Sequence, residues 1–560
     1  MKVPRSIDAL TPGPGGTADE DLLIGALAFA APIAGAYCLA LLAFCDGRSV
    51  PTIPLTWVLT ALAGFVATLW FLVRGVPSRP RLAFWLTIGS AIVAGGAVLV
   101  HRTFDLTWDG QAWHAYVISR LLHGWNPLLK RLEPAADLFN TVANHYPRLV
   151  EVIASEAVVV FGDFDSGRIV QFLMIVPAAL LTRCCLDRIG VRPGASTVLA
   201  LLAVLNPVVL CQLLTYYADG FAYLALLYLC AGLVLLAFEP DRLLVWANLA
   251  TASILTINAK STGFGYACFF VMVTLSVLAY RRRWRDVIAF TCVFATIICT
   301  TGYSPYVSNL VGFGNPFHPF GSSGTFGRDF LVADQRPRGF ASMDRVSRLL
   351  VSLSSRPDVG REETHLQSPW SVSWDDLRAF DGPDARTGGF GPLFAGALLL
   401  AVATLVATSS RGAALRVWAG PVVVVASVLL HREGWWARYA PQLWMLPIVA
   451  AVSALVSAKH LPRILATAVI LVMATDAALV GIENVRFTLS ASRDLVSGLD
   501  RMRSSVGPCV WARDYFPGPR IRLERLGLDA RFVGEQECGS GVPLGPFARL
   551  CDQCEPPRSP

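Results

Sequence analysis

Apolar residues run through this chain in long blocks, separated by short charged or Gly/Pro-containing turns. Residues 22–44, 55–73, 82–100, 169–181, 196–214, 221–238 and 243–257 form the first seven. Residues 262–279, 287–301, 392–407, 417–430, 440–456 and 464–479 bring the number to thirteen. Most approach the ~20 apolar residues a helix needs to cross the hydrocarbon core. The shorter blocks, 169–181 foremost, must borrow flanking residues to span. The pattern predicts an all-α polytopic membrane protein with about 13 transmembrane helices.

Composition supports this reading. Hydrophobic residues make up 54% of the chain and charged residues 16%, against about 25% charged in a soluble domain. The net charge of +7 raises nucleic-acid binding as a class, but its distribution gives a better explanation. Basic residues cluster at Arg74, Arg79 and Arg81, at Arg183, Arg188 and Arg192, at Arg242, and at Arg281–Arg283 with Arg285. Arg411, Arg416, Lys459 and Arg463 continue the series. With thirteen spans and an inward N-terminus, every cluster falls on the cytoplasmic side, as the positive-inside rule requires. The alternate loops (45–54, 215–220, 258–261, 431–439) are poor in such clusters.

This topology divides the chain into three parts. Residues 1–21 read as a disordered cytoplasmic N-terminus with nothing like a cleavable signal peptide. Residues 22–482 read as the membrane domain, with large outer loops at 101–168 and 302–390. Residues 483–560 read as a small extracytoplasmic domain, α/β or β-rich, because short apolar runs alternate there with Gly/Pro turns. Nine of the 13 cysteines lie in or beside spans. The other four, Cys509, Cys538, Cys551 and Cys554, lie in the outward tail and suggest one or two disulfides. Cys551-Asp-Gln-Cys554 also fits a zinc or redox motif, but the tail has no second CxxC and no histidine.

The candidate chemistry gathers on the outer side. The third span delivers Asp105 and Asp109 to the interface, four residues apart and so on one face if helical. After Gly110 the stripe Trp113, Tyr116, Val117, Leu121 and Leu122 predicts an amphipathic helix along the membrane surface. Aspartates there fit helix caps; a general base or a cation site is the favoured reading, since acids near hydrocarbon are costly and tend to be functional. Asp219 stands in a short outer turn, as a turn residue before Gly220 or as a site residue. Lys260 sits between two spans, as a snorkelling lysine or a phosphate partner. Arg432 and Arg438 precede the twelfth span, as interfacial anchors or as phosphate ligands. His114, His145 and His318 also face outward, but no HxxxH or HExxH spacing links them.

Taken together, these residues resemble the GT-C superfamily of membrane glycosyltransferases, and within it the bacterial dolichyl-phosphate-mannose and ArnT-like families. The resemblance rests on Asp105, Trp108-Asp109-Gly110-Gln111 and His114, on Lys260-Ser261-Thr262-Gly263, on Gly314-Asn315-Pro316-Phe317-His318-Pro319, and on Arg438-Tyr439-Ala440-Pro441. It covers about residues 80–460. Two departures stand out: three spans precede the acidic loop, and that loop has no adjacent Asp-Asp or Asp-Glu pair.

The resemblance implies a cell-envelope enzyme of a bacterial inner membrane. Its reaction would move a sugar from a polyprenyl-phosphate donor to a hydroxyl of a glycan, lipid or protein acceptor. Asp109, or otherwise Asp105, would take the acceptor proton. Lys260 and Arg438 would meet the leaving phosphate, and Asp219, His114, Gln111 and Tyr439 would contact substrate. A divalent cation, Mg or Mn, is the cofactor the resemblance leaves open, and no nucleic-acid partner is expected. The competing class is a transporter or flippase for a lipid-linked glycan, which calls for mid-span charges and repeated halves with broken helices. A polymerase or ligase of such glycans is chemically closer and differs mainly in donor size.

Overall fold

The computed structural model describes residues 18–53, 79–133, 138–320, 335–410, 414–514 and 516–552. The apolar block at 55–73, most of the N-terminal segment, Arg74, Phe326, Arg411 and Cys554 lie outside them.

Among the described residues, six helices are long and apolar enough to cross a membrane. They are Glu20–Cys45, Pro80–His101, Phe164–Ile189, Asp219–Phe238, Ser261–Tyr280 and His460–Ser504. Trp284–Thr300 and Tyr303–Phe313 add a seventh if a pair bent by 81° counts as one span. Five shorter apolar helices accompany them: Pro193–Val204, Leu243–Ala259, Phe394–Thr408, Ala414–Leu430 and Pro441–Leu455. By length and composition this is a multi-pass membrane protein; the figure of thirteen crossings rests on the sequence pattern.

Two blocks differ from the expectation. The run at 196–214 is broken after Val204, where Asn206 accepts a hydrogen bond from the Val208 amide at 3.0 Å and Pro207 begins a new turn. Proline has no N–H to continue the first helix, and its ring excludes it. The run at 464–479 belongs to a single 45-residue helix, His460–Ser504. At about 1.5 Å per residue it is roughly 65 Å long, twice the hydrocarbon thickness. Its far half therefore stands outside the apolar layer and carries the C-terminal residues.

The Asp219–Phe238 helix is buried on nearly every side and packs on Leu243–Ala259, Ile175–Ile189 and Ser261–Tyr280. Polar side chains tie the bundle internally: Tyr228 Oη donates to Asn248 Oδ1 at 2.5 Å, and Asn248 Nδ2 to the Leu23 carbonyl at 3.2 Å. In an apolar layer such bonds hold helices together where burial of hydrocarbon supplies little drive.

The helix expected after Gly110 is present, as a π-turn, Gly110–His114, running into Ala115–Leu122, but its apolar stripe faces the protein interior and not a membrane surface. Its buried residues Val117 and Leu121 pack into the main core, against the Leu149–Phe161 helix, which itself meets Glu20–Cys45.

Residues 509–551 form a four-stranded sheet of order β2-β1-β4-β3: β1 Cys509–Ala512, β2 Arg531–Val533, β3 Gly541–Pro543 and β4 Ala548–Cys551. β1 runs parallel to β2, with Val510 opposite Phe532, and antiparallel to β4, with Val510 opposite Leu550. The parallel connection is the Gly518–Arg525 helix. Leu495, Leu499 and Met502 of the long helix share a core with Val510, Leu523, Leu544 and Leu550. Phe104 and Leu106 of the acidic loop pack against that same core. Cys538 and Cys551 form a disulfide, which takes Cys551 out of any CxxC metal or redox role, and Cys509 is disulfide-bonded as well.

Candidate active site

At the end of the bundle where these elements meet lies a cavity of about 880 Å³. Its charged residues come chiefly from the 108–114 turn, the start of the Asp219–Phe238 helix, the 260–266 step, the 384–386 loop and the 430–439 turn, and Phe139, Val142 and Tyr146 add to the wall.

Arg438 is the hub. It sits on the turn Ala437–Tyr439 and is 9% exposed. Its Nη2 lies 2.6 Å from Asp109 Oδ2 and 3.2 Å from Asp219 Oδ2, and its Nη1 lies 3.4 Å from Asp384 Oδ1. The guanidinium also stands 4.6 Å above the Tyr217 ring, a cation–π contact that fixes its plane. Burial opposes its charge, but Asp219, Asp109 and Asp384 outweigh burial and hold it protonated.

Lys260 occupies a one-residue extended break (φ −159°, ψ 149°) between the helices Leu243–Ala259 and Ser261–Tyr280. That break carries its chain into the cavity, where Nζ pairs with Asp219 Oδ1 and lies 5.0 Å over the Tyr439 ring. A β-carbon at Gly263 would come 2.6 Å from the Thr256 carbonyl, so the tight step needs glycine there. Asp219 opens its helix, where a carboxylate is favoured, and accepts a third contact from Gln212 Nε2 at 3.3 Å.

The acidic loop is held from both sides by buried arginines. Arg168 is fully buried and donates to the carbonyls of Val100 and Leu214, each at 2.8 Å, and to that of Thr103. Arg522, from the C-terminal sheet domain, donates to the Asp105 carbonyl at 2.9 Å and reaches Gln111 Oε1 and Asp165 Oδ2 at 3.4 Å.

Asp105 itself faces away from the cavity. Its carboxylate accepts from the Tyr216 amide at 2.7 Å, the Thr107 amide at 2.9 Å and Thr107 Oγ1 at 2.6 Å. Burial nonetheless raises it above the ordinary aspartate value. A β-carbon at Gly110 would lie 2.0 Å from Asp105 Oδ2, so the turn that presents Asp109 depends on a bare backbone at that position.

The structure thus brings Asp109, Asp219, Lys260, Arg438, His114 and Tyr439 around one cavity. Asp105 and Gln111 are buried behind its wall, where they shape the loop. Sequence reasoning missed Asp384, raised by burial against the pull of Arg438, and Glu151, whose Oε1 lies 2.7 Å from His114 Nδ1. Asp384 had no signal in its polar, turn-rich loop. Glu151 had one: an acid inside the apolar run Leu149–Phe161. Phe317 and Phe320 of the 302–390 loop line the cavity, with Gln335, Arg361 and Arg386 further along.

A divalent cation finds no ready set. Among the described residues no three His, Cys, Asp or Glu side chains converge as metal ligands, and the site carboxylates already converge on Arg438.

No protein-family model matches the chain, and no curated protein matches it. Among solved structures it is similar to ArnT from Cupriavidus metallidurans bound to undecaprenyl phosphate, with a TM-score of 0.45 and 14% identity. That match covers 80% of this chain and 86% of ArnT.

Proposed function

We propose that the chain is a membrane-embedded glycosyltransferase that moves a sugar from a polyprenyl-phosphate donor to an acceptor hydroxyl at the outer face. The observation that carries this reading is the convergence of Arg438 and Lys260 with Asp109, Asp219 and Asp384 in one cavity at the end of apolar helices. A donor with its tail in the bilayer and its sugar outside has to be met at that depth.

In the proposed reaction the acceptor oxygen attacks the anomeric carbon from the face opposite the phosphate. Its proton passes to Asp109, the most exposed of the three carboxylates at 31%. The bond from the anomeric carbon to the phosphate oxygen breaks, and its electron pair leaves with the lipid phosphate. Lys260 and Arg438 face the charge that grows there, in a setting where water screens it poorly. Asp219 and His114 hold sugar hydroxyls, His114 with its ring fixed by Glu151, and Tyr439 supplies an aromatic wall.

The test is a vesicle assay with a radiolabelled polyprenyl-phosphate sugar and the Lys260→Met variant. The wild type should release polyprenyl phosphate as labelled sugar appears on an acceptor. Lys260→Met should lower kcat by about 100- to 1,000-fold, as loss of one preorganised charge does. Movement of intact donor across the bilayer with its glycosidic bond uncut would instead support a transporter and overturn the proposal.

A further inference from the structure

The charges lining the cavity separate into two groups. Deep in the cavity, Lys260 and Arg438 face Asp109, Asp219 and Asp384. Two cations meet three acids there, so the group is net negative when all are ionised. A single lipid phosphate is what these two cations can serve, and only by competing with carboxylates already in place.

The rim has the opposite balance. Glu433 is matched by Arg336, whose Nε donates to Glu433 Oε2 at 3.0 Å. That leaves Arg361 and Arg386 on the wall, neither of which makes an ion pair among the described residues. Arg386 is held on one side, where Nη2 donates to Gln335 Oε1 at 2.5 Å, and its buried Nε has no hydrogen-bond partner. Its guanidinium lies 5.7 Å over the Trp436 ring, which fixes its plane. The chain at Arg361 is pinned too, since its carbonyl accepts from the Arg338 amide at 3.0 Å. Arg432 lines the same rim. Guanidinium groups on a cavity wall with no carboxylate paired to them are satisfied best by an oxyanion, which arginine can bind with two parallel hydrogen bonds. The cavity, about 880 Å³, lies near the top of the roughly 300–1,000 Å³ range of small-molecule sites, and the arginine-bearing wall belongs to it.

We propose that Arg361 and Arg386 form a second anion subsite, separate from the Lys260–Arg438 pair, that selects an acceptor bearing a phosphate or carboxylate group. It rests on the glycosyltransferase reading above and names the acceptor's chemistry. The donor phosphate occupies the deep pair, and the acceptor's anion on the rim sets the distance of its hydroxyl from Asp109.

The test uses the full chain in nanodiscs of neutral phosphatidylcholine, with polyprenyl monophosphate and glucose 1-phosphate as probes and unmodified glucose as control. Wild type saturated with polyprenyl monophosphate should still bind glucose 1-phosphate, and far more weakly at high salt. Arg361→Gln/Arg386→Gln should weaken glucose 1-phosphate binding about 10- to 100-fold, the loss of charge-assisted hydrogen bonds. It should leave polyprenyl monophosphate and glucose binding unchanged, which also shows that the variant is folded. The single exposed variant Arg361→Gln gives a smaller loss in the same direction if the double variant does not fold. Mutual displacement of the two phosphates, or a variant that loses polyprenyl monophosphate instead, overturns the proposal. If glucose 1-phosphate binds but polyprenyl monophosphate does not, the rim subsite stands and the donor reading fails.

Discussion

Arg438 and Asp109 are 329 residues apart in the chain, and their side chains meet at 2.6 Å. The same guanidinium reaches Asp219 and Asp384, so one planar group sets the spacing of three carboxylates. A lysine offers a point charge and cannot reproduce that fork. Arg438→Lys should therefore lower kcat by about 100-fold or more while the protein stays inserted and folded. A steady-state assay beside a thermal unfolding scan checks this; near-wild-type turnover would show that the fork has no role.

The C-terminal sheet domain reaches the acidic loop through Arg522, which bonds the Asp105 carbonyl and Gln111. Trp108 adds an edge-to-face contact with Phe516, ring centroids 4.5 Å apart. Arg522 touches no cavity space, so it is a positioning residue. Arg522→Gln should cost on the order of 1–3 kcal/mol of stability and reduce kcat with little change in KM for donor. Arg522→Lys should restore part of kcat. A loss confined to stability, with kcat intact in the folded fraction, would reduce Arg522 to a structural contact.

Gly110 leaves no room for a side chain, since a β-carbon would lie 2.0 Å from Asp105 Oδ2. Gly110→Ala should displace the loop, lower the melting temperature and cut activity more than 10-fold, an effect of the size that small misplacements produce. A β-carbon at Gly95 would meet nothing within 4 Å, and Gly95→Ala should be neutral or slightly stabilising.

Asp381 lies in the loop that carries Asp384, and the Phe380 carbonyl beside it accepts from Asn484 at 2.9 Å. Burial and the neighbouring Glu483 carboxyl push Asp381 up to about 6. A group raised on folding stabilises the fold below its unfolded value, near 4, and that contribution is lost as pH rises through about 6. From pH 4 to 7 the wild type should lose melting temperature relative to Asp381→Asn. Parallel curves for the two proteins would remove Asp381 from the pH response.

The candidate site was legible where polar residues interrupt apolar blocks. Asp219, Lys260 and Arg438 each stand at a block end, and Asp109 in the loop just past one, where a charge near hydrocarbon is costly enough to need a reason. Asp105 lies in the same loop as Asp109 and turned inward, because Gly110 admits its carboxylate and the Tyr216 amide binds it; no local pattern encodes that long-range pairing. Asp384 is brought in by the loop's folding against the 430–439 turn, which hydropathy does not report. The break at Asn206-Pro207 did have a local signal in the proline. The single helix through residue 504 had none, since its polar half no longer reads as a span.

The most direct measurement is single-turnover transfer by Asp109→Asn in proteoliposomes loaded with a labelled polyprenyl-phosphate sugar and acceptor. The expected result is a rate about 100- to 10,000-fold below wild type, with donor binding changed only a few-fold. Transfer at the wild-type rate by a correctly inserted Asp109→Asn protein would contradict the role of that carboxylate and the reaction built on it.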